Sequence, residues 1–121
     1  MLTKDKVTAY CLSKKGATED FPFGPAPLVV KIGGKMFALI TINEKKEASN
    51  ISLKCDPVIA ENLREQHEEV VPGYHLNKKH WNSVNLHGSL PVEDVISMID
   101  HSYDLVLKSL TKKQQELIVT S

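Results

Sequence analysis

The chain has 121 residues, 41% of them hydrophobic and 25% charged, and its 15 basic side chains are balanced by 15 acidic ones. This is enough sequence for one domain with a real hydrophobic core and no disulfide or metal staples. It excludes a chain basic throughout, so any phosphate contact must come from a segregated patch, and no apolar run approaches the roughly 18 residues of a membrane span.

Residues 3–15 read as a helix. Thr3 suits the N-cap, Asp5 the positive end, and Lys14 and Lys15 the negative end. Val7, Tyr10 and Cys11 form an apolar stripe at helical spacing, and Gly16 is the expected stop. Pro22, Pro25 and Pro27 then forbid a helix or a central strand, and Phe21 and Phe23 are expected to pack Pro22 down as a lip on the core. Residues 28–32 and 35–42 flank Gly33-Gly34, the signal for a hairpin with a two-residue turn of positive φ. A second turn is expected over residues 43–49. Residues 50–55 alternate, so Ile51, Leu53 and Cys55 should face the core.

Asp56-Pro57 is a cap followed by a proline at the first helical position, with Ile59, Ala60 and Leu63 as the inner stripe. This helix should fade near residues 66–68. Residues 81–86 read as a strand with Val84 and Leu86 inward and Trp81, Ser83 and Asn85 on the other face. His87-Gly88 is a turn. Pro91 opens the longest helix, to about Ser109, with an apolar stripe of Val92, Val95, Ile96, Ile99, Tyr103, Val106, Leu107 and Leu110. Thr111 and Gln114 have capping-box spacing, which predicts a short terminal helix. The predicted order is α-β-β-β-α-β-α: one α+β domain over residues 1–121, with an antiparallel sheet packed on helices.

The chemistry-bearing side chains concentrate between Tyr74 and Trp81. Residues 75–87 contain no acid, whereas Glu61, Glu65, Glu68 and Glu69 crowd the stretch before them. Lys78 and Lys79 suit phosphate contacts, and Tyr74, His75 and Trp81 suit stacking on bases or sugars, with the Lys31–Lys35 hairpin as a wing beside them. A structural alternative stands beside this reading: Tyr74 and Trp81 as half-buried packing residues, with Asn77 and His80 bonding an irregular loop to itself. The i, i+5 spacing of His75 and His80 fits no metal motif, and neither metal nor cofactor is expected. Cys11 and Cys55 have no redox or metal spacing and sit among apolar neighbours, so buried free thiols are expected. Asp100 and Asp104 share a helix face that reads as solvated, and His101, Ser102 and Tyr103 between them add nothing specific. No nucleophile, phosphate cradle or acid–base pair is recognisable, so no catalysis is expected.

Phe21-Pro22-Phe23-Gly24, residues 31–38, residues 51–57, the run from Pro72 to Asn82 and residues 100–106 follow one another in an order that resembles the MmcQ/YjbR family. The resemblance implies a sandwich similar to the bacterial frataxin homologue CyaY, and DNA binding, the label such proteins often carry. Frataxin-type iron binding does not carry over, because the first helix offers Asp5 among lysines and hard cations need converging oxygens. The resulting expectation is a non-catalytic, monomeric, cytoplasmic DNA-binding protein with neither leader nor membrane span. Its surface is Tyr74, His75, Asn77, Lys78, Lys79, His80 and Trp81, with Lys31 and Lys35. The alternative is a small-molecule or protein interaction module on the same surface.

Overall fold

The computed structural model describes residues 3–22, 24, 27–42, 48–73 and 76–120. In chain order the elements are α1 (Lys4–Leu12), β1 (Ala17–Asp20), β2 (Leu28–Ile32), β3 (Lys35–Ile42), β4 (Ala48–Lys54), α2 (Pro57–Gln66), β5 (Val70–Pro72), β6 (Trp81–Asn85), α3 (Val92–Ser109) and α4 (Lys112–Val119). Antiparallel pairing gives one six-stranded sheet in the order β1-β2-β3-β4-β6-β5. The chain leaves β4, crosses through α2 to the far edge, and returns as β6 between β4 and β5.

The local signals act as their chemistry dictates. Thr3 accepts from the Lys6 amide at 3.2 Å, Asp56 caps α2 ahead of Pro57, and Thr111 and Gln114 form a complete capping box. Gly33 and Gly34 take φ of +57° and +81°, the pair a tight hairpin turn requires. Helix α1 ends at Leu12, sooner than the charge pattern predicts. Two short edge strands, β1 and β5, go beyond the predicted order. Phe21 is 45% exposed rather than packed on the core, while Phe23 and residues 43–47 lie outside the described residues.

All four helices contribute to one hydrophobic cluster on one face of the sheet. Val7 and Cys11 come from α1, Leu63 from α2, Ile99, Tyr103 and Val106 from α3, and Ile118 from α4. A bulge in β3 opposite Val30 and Lys31 lets Phe37 and Ala38 both enter this cluster, and the Phe37 ring meets Tyr103 edge-on at 5.4 Å. The register aligns Val29, Leu39, Ser52, Ser83 and Val71 across the other face. Among the described residues no helix packs there. Ser52 and Ser83 are nevertheless buried, and their hydroxyls bond each other at 2.7 Å.

Ser102, to which the sequence assigns no role, bolts α3 to the sheet. It is fully buried; its hydroxyl donates to the Phe37 carbonyl at 2.6 Å and accepts from the Lys54 amide at 2.9 Å. It thus fills the step beyond the Ala38–Leu53 pair, where β3 and β4 separate. Asp100 is likewise not a bare solvated carboxylate. Tyr10 donates to it at 2.6 Å and Lys14 pairs with it, which ties α1 to α3. Partial burial would raise the Asp100 pKa, but Lys14 and Tyr10 outweigh it and hold the carboxyl below its ordinary range.

Replacing Ser102 with alanine strands a buried amide and carbonyl, so Ser102→Ala is expected to cost about 2–3 kcal/mol in urea unfolding; an unchanged midpoint would remove the bolt from the account. Because the folded-state pKa of Asp100 is depressed, its contribution is present above the unfolded value of about 3.9 and is lost as pH falls through the folded one. Asp100→Asn should therefore melt lower than the parent at pH 7. The gap should close in melts run toward pH 3, and a gap constant with pH would contradict the assignment.

Candidate functional site

The segment between β5 and β6 is held by its own backbone and by α2. Its two ends meet where the Gly73 amide donates to the Trp81 carbonyl at 2.8 Å. A Cβ on Gly73 would sit 2.8 Å from Trp81 Cβ, so only glycine allows this approach. Lys78 Nζ donates back to the Gly73 carbonyl at 3.0 Å. Asn77 Oδ1 accepts from the Lys79 amide at 2.9 Å, and the His80 amide bonds the Asn77 carbonyl at 3.2 Å. From the last turn of α2, Arg64 donates to Asn82 Oδ1 at 2.7 Å, to the Trp81 carbonyl at 3.3 Å, and to the Lys78 carbonyl. A planar guanidinium fork suits such a divided role.

The same segment is sewn to the end of β4. The Cys55 amide donates to the His80 carbonyl at 2.7 Å, and the Asp56 amide to His101 Nε2 at 3.2 Å. With Lys54 on Ser102, three successive amides are bonded to α3 or to the segment as the chain passes from sheet to helix.

Of the residues singled out in the sequence, Asn77, Lys78, Lys79, His80 and Trp81 come together here. Tyr74 and His75 lie outside the described residues. Asn77 and His80 do bond the segment to itself. Trp81 is half-buried on the outer sheet face, directly opposite Lys54, and Lys79 is exposed. Lys31 and Lys35 do not join them. Lys31 is on β2, with β3 and β4 between it and β6, and its ammonium pairs with Asp20 at 2.8 Å. Lys35 reaches Ser109 at the end of α3, and Gly33 lies against Leu110, so the hairpin rests on the helix and is not a free wing. Lys54 and Arg64 are the residues the sequence reading missed. The signal for Lys54 was present in the strand alternation, which places it on the face of Ser52; Arg64 acts through contacts no local pattern reveals.

A second feature opens on the helical face. A cleft of about 360 Å³ separates α2 from α3, with Leu53, Val84 and the buried Asn82 as its floor. Ile59 and Leu63 face Met98 and His101 across it. Ile59 is 43% exposed rather than covered, because α3 does not close over this part of the sheet. Both thiols are buried: burial pushes Cys11 up to about 12 and Cys55, at the cleft, to about 11. Among the described residues no helix is long and apolar enough to cross a membrane.

A six-stranded antiparallel sheet with its helices on one face defines an α+β domain. The YjbR family model matches residues 12–105. The chain is 35% identical to the YjbR protein of Escherichia coli K12 over 118 residues, 98% of each chain, and 30% identical to YyaQ of Bacillus subtilis, covering 87% of this chain and 98% of that one. Both relatives are described as uncharacterised. The crystal structure of the Deinococcus radiodurans protein DR2400 superposes with a TM-score of 0.87 at 38% identity, over 98% of this chain and 88% of that one. A Pseudomonas syringae protein superposes at 0.72 with 29% identity, over 86% and 98%. The chain belongs to the YjbR family, also called MmcQ/YjbR.

Arg64→Ala removes three hydrogen bonds and leaves buried Asn82 short of a partner, so a loss of about 2 kcal/mol is expected. Hydrogen exchange should quicken at residues 78–82 first. Uniform acceleration across the sheet would show instead that Arg64 supports the fold at large.

Proposed function

We propose that the protein is a non-catalytic nucleic-acid-binding module, working as a cytoplasmic monomer, and that its contact surface is the outer sheet face at Trp81. The observation that carries this reading is the pairing of Trp81 with Lys54 on the face that no helix covers among the described residues, with exposed Lys79 close by in the chain. An aromatic ring beside cations offers a base a stacking surface and its phosphates a counter-charge. Lys78 is tethered to Gly73, and Lys31 and Lys35 are engaged elsewhere, so few lysines are free to meet phosphates. The balanced formal charge adds little long-range attraction. Weak, stacking-led binding is the consequence, and a single half-buried ring suits an unstacked single strand better than a duplex. Burial holds both thiols protonated, which argues against a cysteine nucleophile.

Trp81 is the only tryptophan, so its fluorescence reports this surface alone. Titrating a twelve-nucleotide single strand and the matching duplex should quench or shift the emission, more for the single strand. With Lys54 and Lys79 in play, the logarithm of affinity for the single strand should fall with the logarithm of salt at a slope of roughly −1.4. The double variant Lys54→Ala, Lys79→Ala should flatten that slope. Emission unmoved by either nucleic acid would end the proposal.

A further inference from the structure

The cleft between α2 and α3 plays no part in the nucleic-acid reading, since it opens on the opposite face of the sheet from Trp81. Its two walls are helical stripes: Ile59, Leu63 and Gln66 on α2, and Asp94, Ser97, Met98 and His101 on α3. From Asp94 to His101 is seven residues, a span of roughly 10 Å at the helical rise. The floor is apolar except at Asn82, which is 3% exposed. Arg64 fixes the Asn82 amide from one side, and one of its Nδ2 hydrogens reaches the Ala60 carbonyl at 3.4 Å. The geometry is therefore built before any ligand arrives. A mostly apolar slot of this volume with a few polar groups at fixed places is the usual form of a small-molecule site. Met98 and Leu63 supply walls that adapt to a flat body.

Charge narrows the occupant. Asp94 lines the cleft at the first turn of α3. Lys54 borders it through β4, but strand alternation sends its side chain to the outer face, opposite to Leu53. The Arg64 cation is turned toward residues 78–82. At the other end, His101 Nε2 accepts from the Asp56 amide at 3.2 Å, so that nitrogen is already engaged. An acid on the lining, with neither a lysine nor an arginine side chain turned into the cleft and His67 as the further basic group beside Gln66, disfavours an anionic ligand.

We propose that this cleft binds a flat, neutral or cationic molecule of one or two rings, its body between Leu63 and Met98 and its polar end at Asp94. The proposal is independent of nucleic-acid binding. Three probes sharing one ring system test it: indole, the cation tryptamine and the anion indole-3-acetate, each titrated into isotopically labelled protein at neutral pH. Indole and tryptamine should shift the amide resonances of Leu63, Ser97, Met98 and His101 and leave Trp81 in place, with tryptamine at least about fivefold tighter than indole-3-acetate. Met98→Trp should fill the slot and remove the shifts. Should that variant not fold, Asp94→Asn serves instead and should bring tryptamine and indole-3-acetate to near equal affinity. Absent shifts, shifts confined to the Trp81 face, or indole-3-acetate binding as tightly as tryptamine would overturn the proposal. So would shifts at the cleft that grow with protein concentration alone, which would make a second copy the occupant.

Discussion

The architecture depends on how the chain leaves β4. A strand that ends inside a domain must find partners for amides that its ladder no longer serves, because an unpaired buried amide costs as much as a lost hydrogen bond. Lys54, Cys55 and Asp56 meet that demand with the Ser102 hydroxyl, the His80 carbonyl and the His101 ring. These groups come from the helix that covers the core and from the segment leading into β6. A few residues thus set the height of α3 above the sheet, the end of the 77–80 segment and the cap of α2. The bulge at Phe37 belongs to the same arrangement, since its carbonyl accepts a hydrogen bond from the Ser102 hydroxyl.

From this junction two surfaces diverge. On the outer face, Trp81 stands beside Lys54 because β6 begins where β4 ends. On the inner face, α2 starts at the junction and runs along the sheet apart from α3, leaving the cleft between them. The first presents a half-buried ring beside a lysine, and the second is a walled, mostly apolar slot. Asn82 and Trp81 are neighbours in the chain on opposite faces, and Arg64 bonds to both, through the Asn82 side chain and the Trp81 carbonyl. The rigidity of one surface is in this sense shared with the other.

Much of the fold was legible because its signals are local. Two glycines of positive φ between β-branched runs specify the β2–β3 hairpin, Asp56-Pro57 starts α2, and Thr111 with Gln114 starts α4. The edge strands were not. Ala17–Asp20 carries no apolar alternation, and Val70–Pro72 is three residues ending in a proline, so both are strands only because a neighbour supplies the ladder. The polar run around Lys78 and Trp81 was legible as unusual, and its internal hydrogen bonding through Asn77 and His80 was foreseen. The engagement of Lys31 with Asp20 and of Lys35 with Ser109 was not, because each depends on where another element comes to rest. Ile59 shows the opposite limit. Its helical phase marks it as inner, but no periodicity says whether a second helix will close over it.

The brevity of those edge strands has a consequence for how the molecule behaves among its own copies. An open sheet offers two rows of backbone groups on which another chain can template, and long flat edges are where such pairing starts. Here one edge is the four residues of β1, followed at once by a proline-rich stretch, and the other is the three residues of β5, whose last member has no amide hydrogen. The longest strand, β3, lies in the interior of the sheet with partners on both sides. Resistance to edge-to-edge association is thus a property of the strand order itself, secured at the two positions where the sequence pattern is weakest.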